Sequence, residues 1–317
     1  MSRSLKESLS RIATEIRTAR GPARIDLLGR FGLLIPALAS AGIIVLIFTF
    51  LWFESAPILA SPEGGIGIVF NTTWDPNRDI YGITVFIAGS FMCTMIAIGI
   101  ALPLGLGGAI FLSEFCPHKL RGPIRMVIEM MAAIPSIIYG LWAYLVIVPW
   151  IGSNLAPILG VEANGLSLLA GGLILSIMLL PTIVTVSDDA LRAVPRSLRE
   201  ASLALGATST ETARKIVMGA AMPGIGAAIV LSLGRAVGET MAVLMVTGNS
   251  LQIPFSLFDP AYVMTSIITN QLGYAFVFPL WRSALFSVAL VLLLMSVSFT
   301  IMAKLFIRWG MKTRGLR

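Results

Sequence analysis

Residues 83–113 read ITVFIAGSFMCTMIAIGIALPLGLGGAIFLS, a run without a single charged side chain. A helix needs about 20 apolar residues to cross a bilayer, so this run is long enough to span it and to tilt or project. Apolar and polar residues do not alternate along the run, as they would in a strand of a membrane β-barrel. The segment therefore predicts a transmembrane helix.

The composition of the whole chain agrees with this prediction. Hydrophobic residue types make up 56% of the 317 residues, and charged types make up only 12%. Soluble domains contain about 25% charged residues, which they need to cover their surface. The composition therefore indicates an integral membrane protein and excludes a disordered chain, a collagen-like chain and a disulfide-stapled scaffold.

Six apolar stretches are long enough to cross a membrane. They are residues 31–52, 83–113, 126–149, 165–186, 221–247 and 281–307. We therefore expect an all-α membrane protein with six transmembrane helices, formed by residues 31–317. Residues 1–30 precede them as a basic tail in which Leu5, Leu9, Ile12 and Ile16 recur at helical spacing. That pattern suits a helix on the inner leaflet, with a merely solvated tail as the alternative.

The basic residues predict the orientation, because cytoplasmic loops of membrane proteins collect Lys and Arg. If the N-terminus lies inside, all but three of the 23 Lys and Arg residues fall on the cytoplasmic side. The exceptions are Arg78 and Arg282 on the outer side and Arg235 within a span. We therefore expect both termini in the cytoplasm and interpret the net charge of +7 as a topology signal, not as nucleic-acid binding.

Motifs for ATP hydrolysis and common hydrolytic chemistry are missing from the sequence. The dipeptide Gly-Lys does not occur, which excludes a Walker A phosphate loop. His118 is the only histidine, so neither a histidine-based triad nor a histidine-rich metal site is expected. The sequence predicts no catalytic residue, no metal and no cofactor in this chain. Uphill transport would need an energy source in another chain.

Two charges lie within the fifth apolar stretch. Arg235 and Glu239 are four residues apart, a spacing that places both on one face of a continuous helix. Charges inside a membrane are costly and usually line a polar cavity, and a guanidinium presents a two-pronged donor to phosphate-like oxygens. We predict a translocation pathway at Arg235, Glu239 and Thr240. A neutralised pair that only holds helices together is the alternative.

A charged loop separates the fourth and fifth stretches. Residues 187–219 concentrate Asp, Glu, Arg and Lys in a chain otherwise poor in charge. Pro195 and Gly206 are expected to divide this loop into short helices. The concentration of charge is typical of a docking surface, and an ordinary solvated loop is the alternative.

Part of this loop resembles a known family motif. Residues 200–206 read EASLALG and are similar to the E-A-A-x-x-x-G loop of ABC importer permeases. Ser202 stands where that family has its second alanine. In the family, the loop forms a coupling helix that seats in the ATP-hydrolysing subunit. The resemblance therefore implies an ABC type I importer permease fold, and ATPase coupling through Glu200, Ala201 and Gly206.

Three further segments narrow the resemblance. Residues 234–243 read GRAVGETMAV, residues 134–140 read IPSIIYG, and residues 101–105 read ALPLG, all similar to phosphate-specific permeases. The resemblance implies an importer of inorganic phosphate in the cytoplasmic (inner) membrane. In such an importer this chain would pair with a sister permease, two copies of an ATPase that binds ATP and Mg²⁺, and a periplasmic phosphate-binding protein. At the two positions of Met241-Ala242, the sister permease usually has Ala-Pro. This difference favours assignment of the chain to the other of the two phosphate permeases.

Several other functions stay open at this stage. One arginine does not distinguish between tetrahedral oxyanions, so a permease for sulfate, molybdate or tungstate is one alternative. The sister phosphate permease is another. A stand-alone channel or secondary transporter would leave the charged loop unexplained. A membrane-embedded enzyme would need a catalytic constellation that the sequence does not offer.

Overall fold

A computed structural model describes residues 22–62 and 64–313, and the described chain is mostly helical. Its helices are α1 (Pro22–Ala60), α2 (Thr84–Phe115), α3 (His118–Ala133), α4 (Ser136–Ile158), α5 (Leu168–Arg192), α6 (Arg196–Ala204), α7 (Ser209–Ala220), α8 (Met222–Gly238), α9 (Met241–Val246), α10 (Met264–Ala275) and α11 (Pro279–Thr313). Two short strands, β1 (Trp74–Asp75) and β2 (Ile80–Tyr81), pair antiparallel between α1 and α2.

The chain divides into two compact units, Met1–Phe53 and Glu54–Arg317. The described part of the first unit is the larger portion of α1, and the second unit contains all the other elements. The predicted surface helix around Leu5, Leu9, Ile12 and Ile16 lies outside the described residues.

Five helices, α1, α2, α4, α5 and α11, are long and apolar enough to cross a membrane. The pair α7 and α8, bent by 70° at Ala221, makes a sixth candidate span. Pro223 lies in the first turn of α8, where its missing N–H costs no helical hydrogen bond. The prediction of an all-α membrane protein is confirmed, and the described residues contain five candidate spans, or six if the bent pair is one span.

The predicted third span, residues 126–149, has the wrong boundaries. Helix α3 ends at Ala133, and the membrane-spanning helix α4 begins only at Ser136 and continues to Ile158. Pro135 causes the interruption, because it has no N–H to donate and disfavours helical torsions at the residue before it. Ile134 accordingly adopts an extended conformation, with φ −69° and ψ 127°.

Helix α5 is the centre of the second unit and packs against α2, α3, α8 and α9. Its buried side chains Leu175, Leu179 and Ile183 join a core with residues of α2 and α8. Gly172 brings α2 close, because a Cβ at this position would lie 2.4 Å from Ile96. This packing holds α8, which carries the intramembrane arginine, against α5.

The segment before α2 and the segment before α11 share one aromatic cluster. Phe86 makes edge-on ring contacts with Trp74 and Tyr262, at centroid distances of 5.3 and 5.2 Å. Helix α10 lies in this region, between the fifth and sixth predicted spans. Its buried residues Met264 and Ile267 pack into the same cluster, so tertiary contacts stabilise a helix too short to be stable alone.

An ion-pair cluster joins α3 to the end of α5. Asp188 is fully buried, and its carboxylate accepts hydrogen bonds from Arg121, Arg125 and Arg192 at 3.1–3.2 Å. Arg125 also binds the neighbouring Asp189 at 2.7 Å. A buried carboxylate costs little free energy only when such partners surround it.

We expect Asp188→Asn to lower the free energy of unfolding by about 3 kcal/mol, because it leaves partly buried guanidinium groups without their counter-charge. The adjacent Asp189→Asn is the matched control. Its side chain is 60% exposed, so we expect a loss of no more than about 0.5 kcal/mol. Thermal unfolding of the detergent-solubilised protein measures both changes. Equal unfolding midpoints for the two variants would contradict the assigned role of Asp188.

Candidate functional site

The fifth predicted span is interrupted where its charges lie. Helix α8 ends at Gly238, Glu239 is extended with φ −69° and ψ 128°, and α9 begins at Met241. The Thr240 hydroxyl donates to the Gly238 carbonyl at 3.3 Å. Irregular backbone at membrane depth is stable only where protein or a water-filled cavity surrounds it. The interruption is therefore a candidate for a polar passage.

Arg235 lies in the last turn of α8 and is partly exposed. Its Nη1 donates to the Thr182 hydroxyl of α5 at 3.4 Å. We expected Arg235 and Glu239 to share one helix face, and this prediction is wrong because the helix ends between them. Within the described residues, no ion pair joins the two side chains.

Glu239 belongs to a polar site of its own. Its carbonyl accepts a hydrogen bond from the Thr265 hydroxyl at 3.0 Å, and its Oε1 lies 3.5 Å from the backbone nitrogen of Ala242. Glu239 and Thr265, together with Ser90 and Thr94 of α2, border a cavity of about 10 Å³. That volume is about enough for one water molecule. The break in the span therefore adjoins a small cavity with both polar and apolar walls.

Helix α9 is fastened to α4 by close packing. A Cβ added to Gly140 would lie 2.8 Å from the Cα of Ala242 and 3.0 Å from the sulfur of Met245. Only glycine lets the two backbones approach this closely. The helices on either side of the break both contact α5, but α9 also packs against α4, whereas α8 also packs against α11.

The loop predicted to couple to an ATPase contains α6 and α7, divided as expected at Pro195 and Gly206. Gly206 has φ +86°, a left-handed conformation that favours glycine. Its N–H donates to the Leu203 carbonyl, and the next N–H donates to the Ser202 carbonyl, which closes α6. Thr208 and Glu211 then form a capping box that starts α7.

One face of this loop is open to solvent. Glu200, Ala201 and Gly206 are all exposed. Exposed apolar side chains accompany them, with Leu203 at 46% and Leu205 at 90% of their maximal exposure. Such a combination of one acidic and several apolar side chains is suited to burial against another protein.

The opposite face of α6 is anchored to the spans by Arg199. Its guanidinium binds both carboxylate oxygens of Glu114, at the end of α2, at 2.9 and 3.2 Å. It also donates to the carbonyls of Leu191, in the last turn of α5, and of Val194, just beyond that helix. Arg199 thereby ties α6 to two spans through one planar group.

The roles of Glu114 and Thr182 were not predicted from the sequence. Glu114 directly follows the charge-free run of residues 83–113, which is a usable signal for a residue at the membrane boundary. Thr182 follows Pro181 as a polar residue in an apolar span, but nothing local relates it to Arg235. In the part of the chain that the structure describes, no group of three or more His, Cys, Asp or Glu residues is placed to hold a metal ion.

Two relatives of similar sequence are both named as permease proteins. A probable ABC transporter permease protein YqgH of Bacillus subtilis is 41% identical over 241 residues, which are 75% of this chain and 76% of that protein. The phosphate transport system permease protein PstC of Haemophilus influenzae is 38% identical over 265 residues, 79% of this chain and 84% of the relative.

Solved structures support the same fold. A chain of a bacterial alginate ABC transporter, in complex with an alginate pentasaccharide-bound periplasmic protein, superimposes with a TM-score of 0.61. The superposition covers 90% of this chain and 97% of that chain at 15% identity, which establishes the importer permease fold and nothing finer. The family model for the binding-protein-dependent transport system inner membrane component matches residues 101–309. The chain therefore belongs to the family of inner membrane components of binding-protein-dependent transport systems.

Proposed function

We propose that this chain is a permease subunit of an ATP-driven importer of inorganic phosphate. The observation that carries the proposal is the placement of Arg235, a partly exposed guanidinium in the last turn before an interrupted span. A guanidinium is suited to bind the oxygens of a tetrahedral anion with two parallel hydrogen bonds. The relatives named as phosphate transport permeases support phosphate as that anion.

The proposed pathway uses Arg235, Glu239 and Thr240 in sequence along the broken span. Thr182 accepts a hydrogen bond from Nη1 of Arg235, which orients the guanidinium and leaves its other N–H groups for the ion. Glu239 then accepts a hydrogen bond from a protonated phosphate oxygen and repels a fully deprotonated ion. A single guanidinium holds the ion loosely enough for it to leave again, as conduction requires.

The proposed coupling uses the exposed face of α6. ATP binding in a partner ATPase would move α6 through Glu200, Ala201 and Gly206. The Arg199–Glu114 ion pair and the contacts with Leu191 and Val194 would transmit that movement to α2 and α5. Because α8 packs against α5, the movement would reach the broken span.

The proposal assigns the remaining tasks to other chains. This chain would hold no cofactor, and ATP and Mg²⁺ would bind to two copies of the ATPase PstB. The sister permease PstA would complete the pathway, and the periplasmic carrier PstS would deliver phosphate. Both termini would face the cytoplasm, an orientation supported by the basic residues near the predicted inner ends of the spans.

Uptake of labelled phosphate into proteoliposomes tests the proposal. We expect the complete transporter to accumulate phosphate only when two conditions are met. ATP must be present on the side of the membrane that carries the ATPase, and the phosphate carrier must be present on the opposite side. A tenfold excess of sulfate or molybdate should leave uptake unchanged, whereas unlabelled phosphate should compete. Flux that persists without the ATPase would favour a channel, and competition by molybdate or sulfate would assign the pathway to another oxyanion.

A further inference from the structure

A groove lies between α8 and α11, near the end of α11 that carries Lys304. Its volume is about 450 Å³, within the range of about 300–1,000 Å³ that is usual for small-molecule sites. Pro223, Gly226 and Val230 of α8 form one wall, and Ile307 of α11 lies opposite. The two helices touch at Gly226, where a Cβ would lie 2.7 Å from Ile307.

The two charges beside this groove have the same sign. Lys304 and Arg308 line it, are exposed, and lie one helical turn apart on α11. No carboxylate lines the groove, and neither basic side chain has an acidic partner among the described residues. An apolar wall next to two uncompensated cations is complementary to a molecule with an anionic head and an apolar tail.

We propose that this groove binds an anionic phospholipid of the inner leaflet, with the lipid phosphate at Lys304 and Arg308. One acyl chain would lie along Gly226, Val230 and Ile307. The bilayer supplies this ligand wherever α11 crosses it, and basic pockets between helices on the cytoplasmic side are suited to anionic head groups. Arg308 offers the phosphate two parallel hydrogen bonds, and Lys304 adds a second positive charge.

The bound lipid would brace α8 at the end remote from its break. Gly226 and Arg235 lie on the same helix, about 14 Å apart at 1.5 Å per residue. The inference requires that the chain spans a membrane with the Lys304 end of α11 at the inner leaflet, as the proposed orientation has it, and it is independent of which ion the transporter carries.

Native mass spectrometry tests the proposal by identifying the lipids that stay bound to the assembled transporter. The transporter is first placed in nanodiscs that contain equal amounts of phosphatidylglycerol and phosphatidylcholine. We expect the wild-type complex to retain phosphatidylglycerol preferentially, and Lys304→Gln/Arg308→Gln to lose this preference about tenfold. Lys119→Gln/Arg214→Gln, which removes two exposed positive charges elsewhere, is the matched control and should retain the lipid. Val230→Trp, which fills the groove without changing charge, should also reduce retention.

Further arms of the experiment separate the lipid from other occupants. Inorganic phosphate at millimolar concentration should not displace the retained phosphatidylglycerol, because it has no acyl chain. A photoreactive side chain introduced at Leu231 should label lipid. Equal retention of the two lipids, an unchanged preference in the double variant, or labelling of the sister permease at Leu231 would each overturn the proposal.

Discussion

Replacing Arg235 by alanine is expected to lower ATP-dependent phosphate uptake at least about 30-fold, while the transporter still assembles. Removing one partner of a desolvated charge pair costs about 2 kcal/mol or more, which corresponds to a factor of this size. Alanine also leaves the Thr182 hydroxyl without its donor. Uptake of labelled phosphate into proteoliposomes, together with co-purification of the partner subunits, measures both effects.

Two further variants separate the effect of the positive charge from the effects of the guanidinium geometry and its orientation. Arg235→Lys keeps the positive charge but loses the planar fork, so we expect an intermediate uptake. Thr182→Val removes only the hydroxyl that orients the guanidinium, and a loss of about fivefold is expected from one hydrogen bond. Wild-type uptake by the assembled alanine variant would eliminate Arg235 from the pathway.

The second large effect is expected at the ion pair between Glu114 and Arg199. Glu114→Arg should reduce the number of phosphate ions transported per ATP hydrolysed at least about tenfold, because it opposes two positive charges that are mostly buried. The exposed face of α6, which we propose to contact the ATPase, is not altered. We therefore expect ATP hydrolysis to continue while its coupling to transport is lost.

Exchanging the charges of Glu114 and Arg199 should partly restore the coupling that Glu114→Arg loses. The double variant Glu114→Arg/Arg199→Glu restores opposite charges but not the donors to Leu191 and Val194, so it should recover only part of the coupling. Lys215→Gln, which removes the exposed ion pair with Glu211 but keeps the capping box of α7, is the control and should change little. If Glu114→Arg reduced hydrolysis and transport in equal proportion, the pair would have a purely structural role.

The features that depend on local chemistry could be predicted from the sequence. Long apolar runs give the spans directly, because the bilayer sets their length. Pro195 and Gly206 divide the charged loop where they were expected to, since proline lacks a donor and glycine adopts positive φ. Family resemblance extended this interpretation to the importer permease fold, which the comparisons support.

The features that depend on distant contacts could not be predicted. The spacing of Arg235 and Glu239 indicated one helix face only under the assumption of an unbroken helix. Gly238 and Thr240, both poor helix formers, were the available local signal against that assumption. The contact of Arg199 with Glu114 joins residues 85 positions apart, and no periodicity in the sequence relates them.

The segment from Gly238 to Thr240 also determines the stiffness of the fifth span. An unbroken helix resists bending through every hydrogen bond along its length, whereas here only a few backbone torsions connect α8 to α9. Helix α9 is held by α4 through Gly140 and α8 by α11, and both helices also contact α5, so a change in these torsions alters the angle at which α8 and α9 meet on α5. The compliance of this membrane span is thus concentrated beside its charged residues.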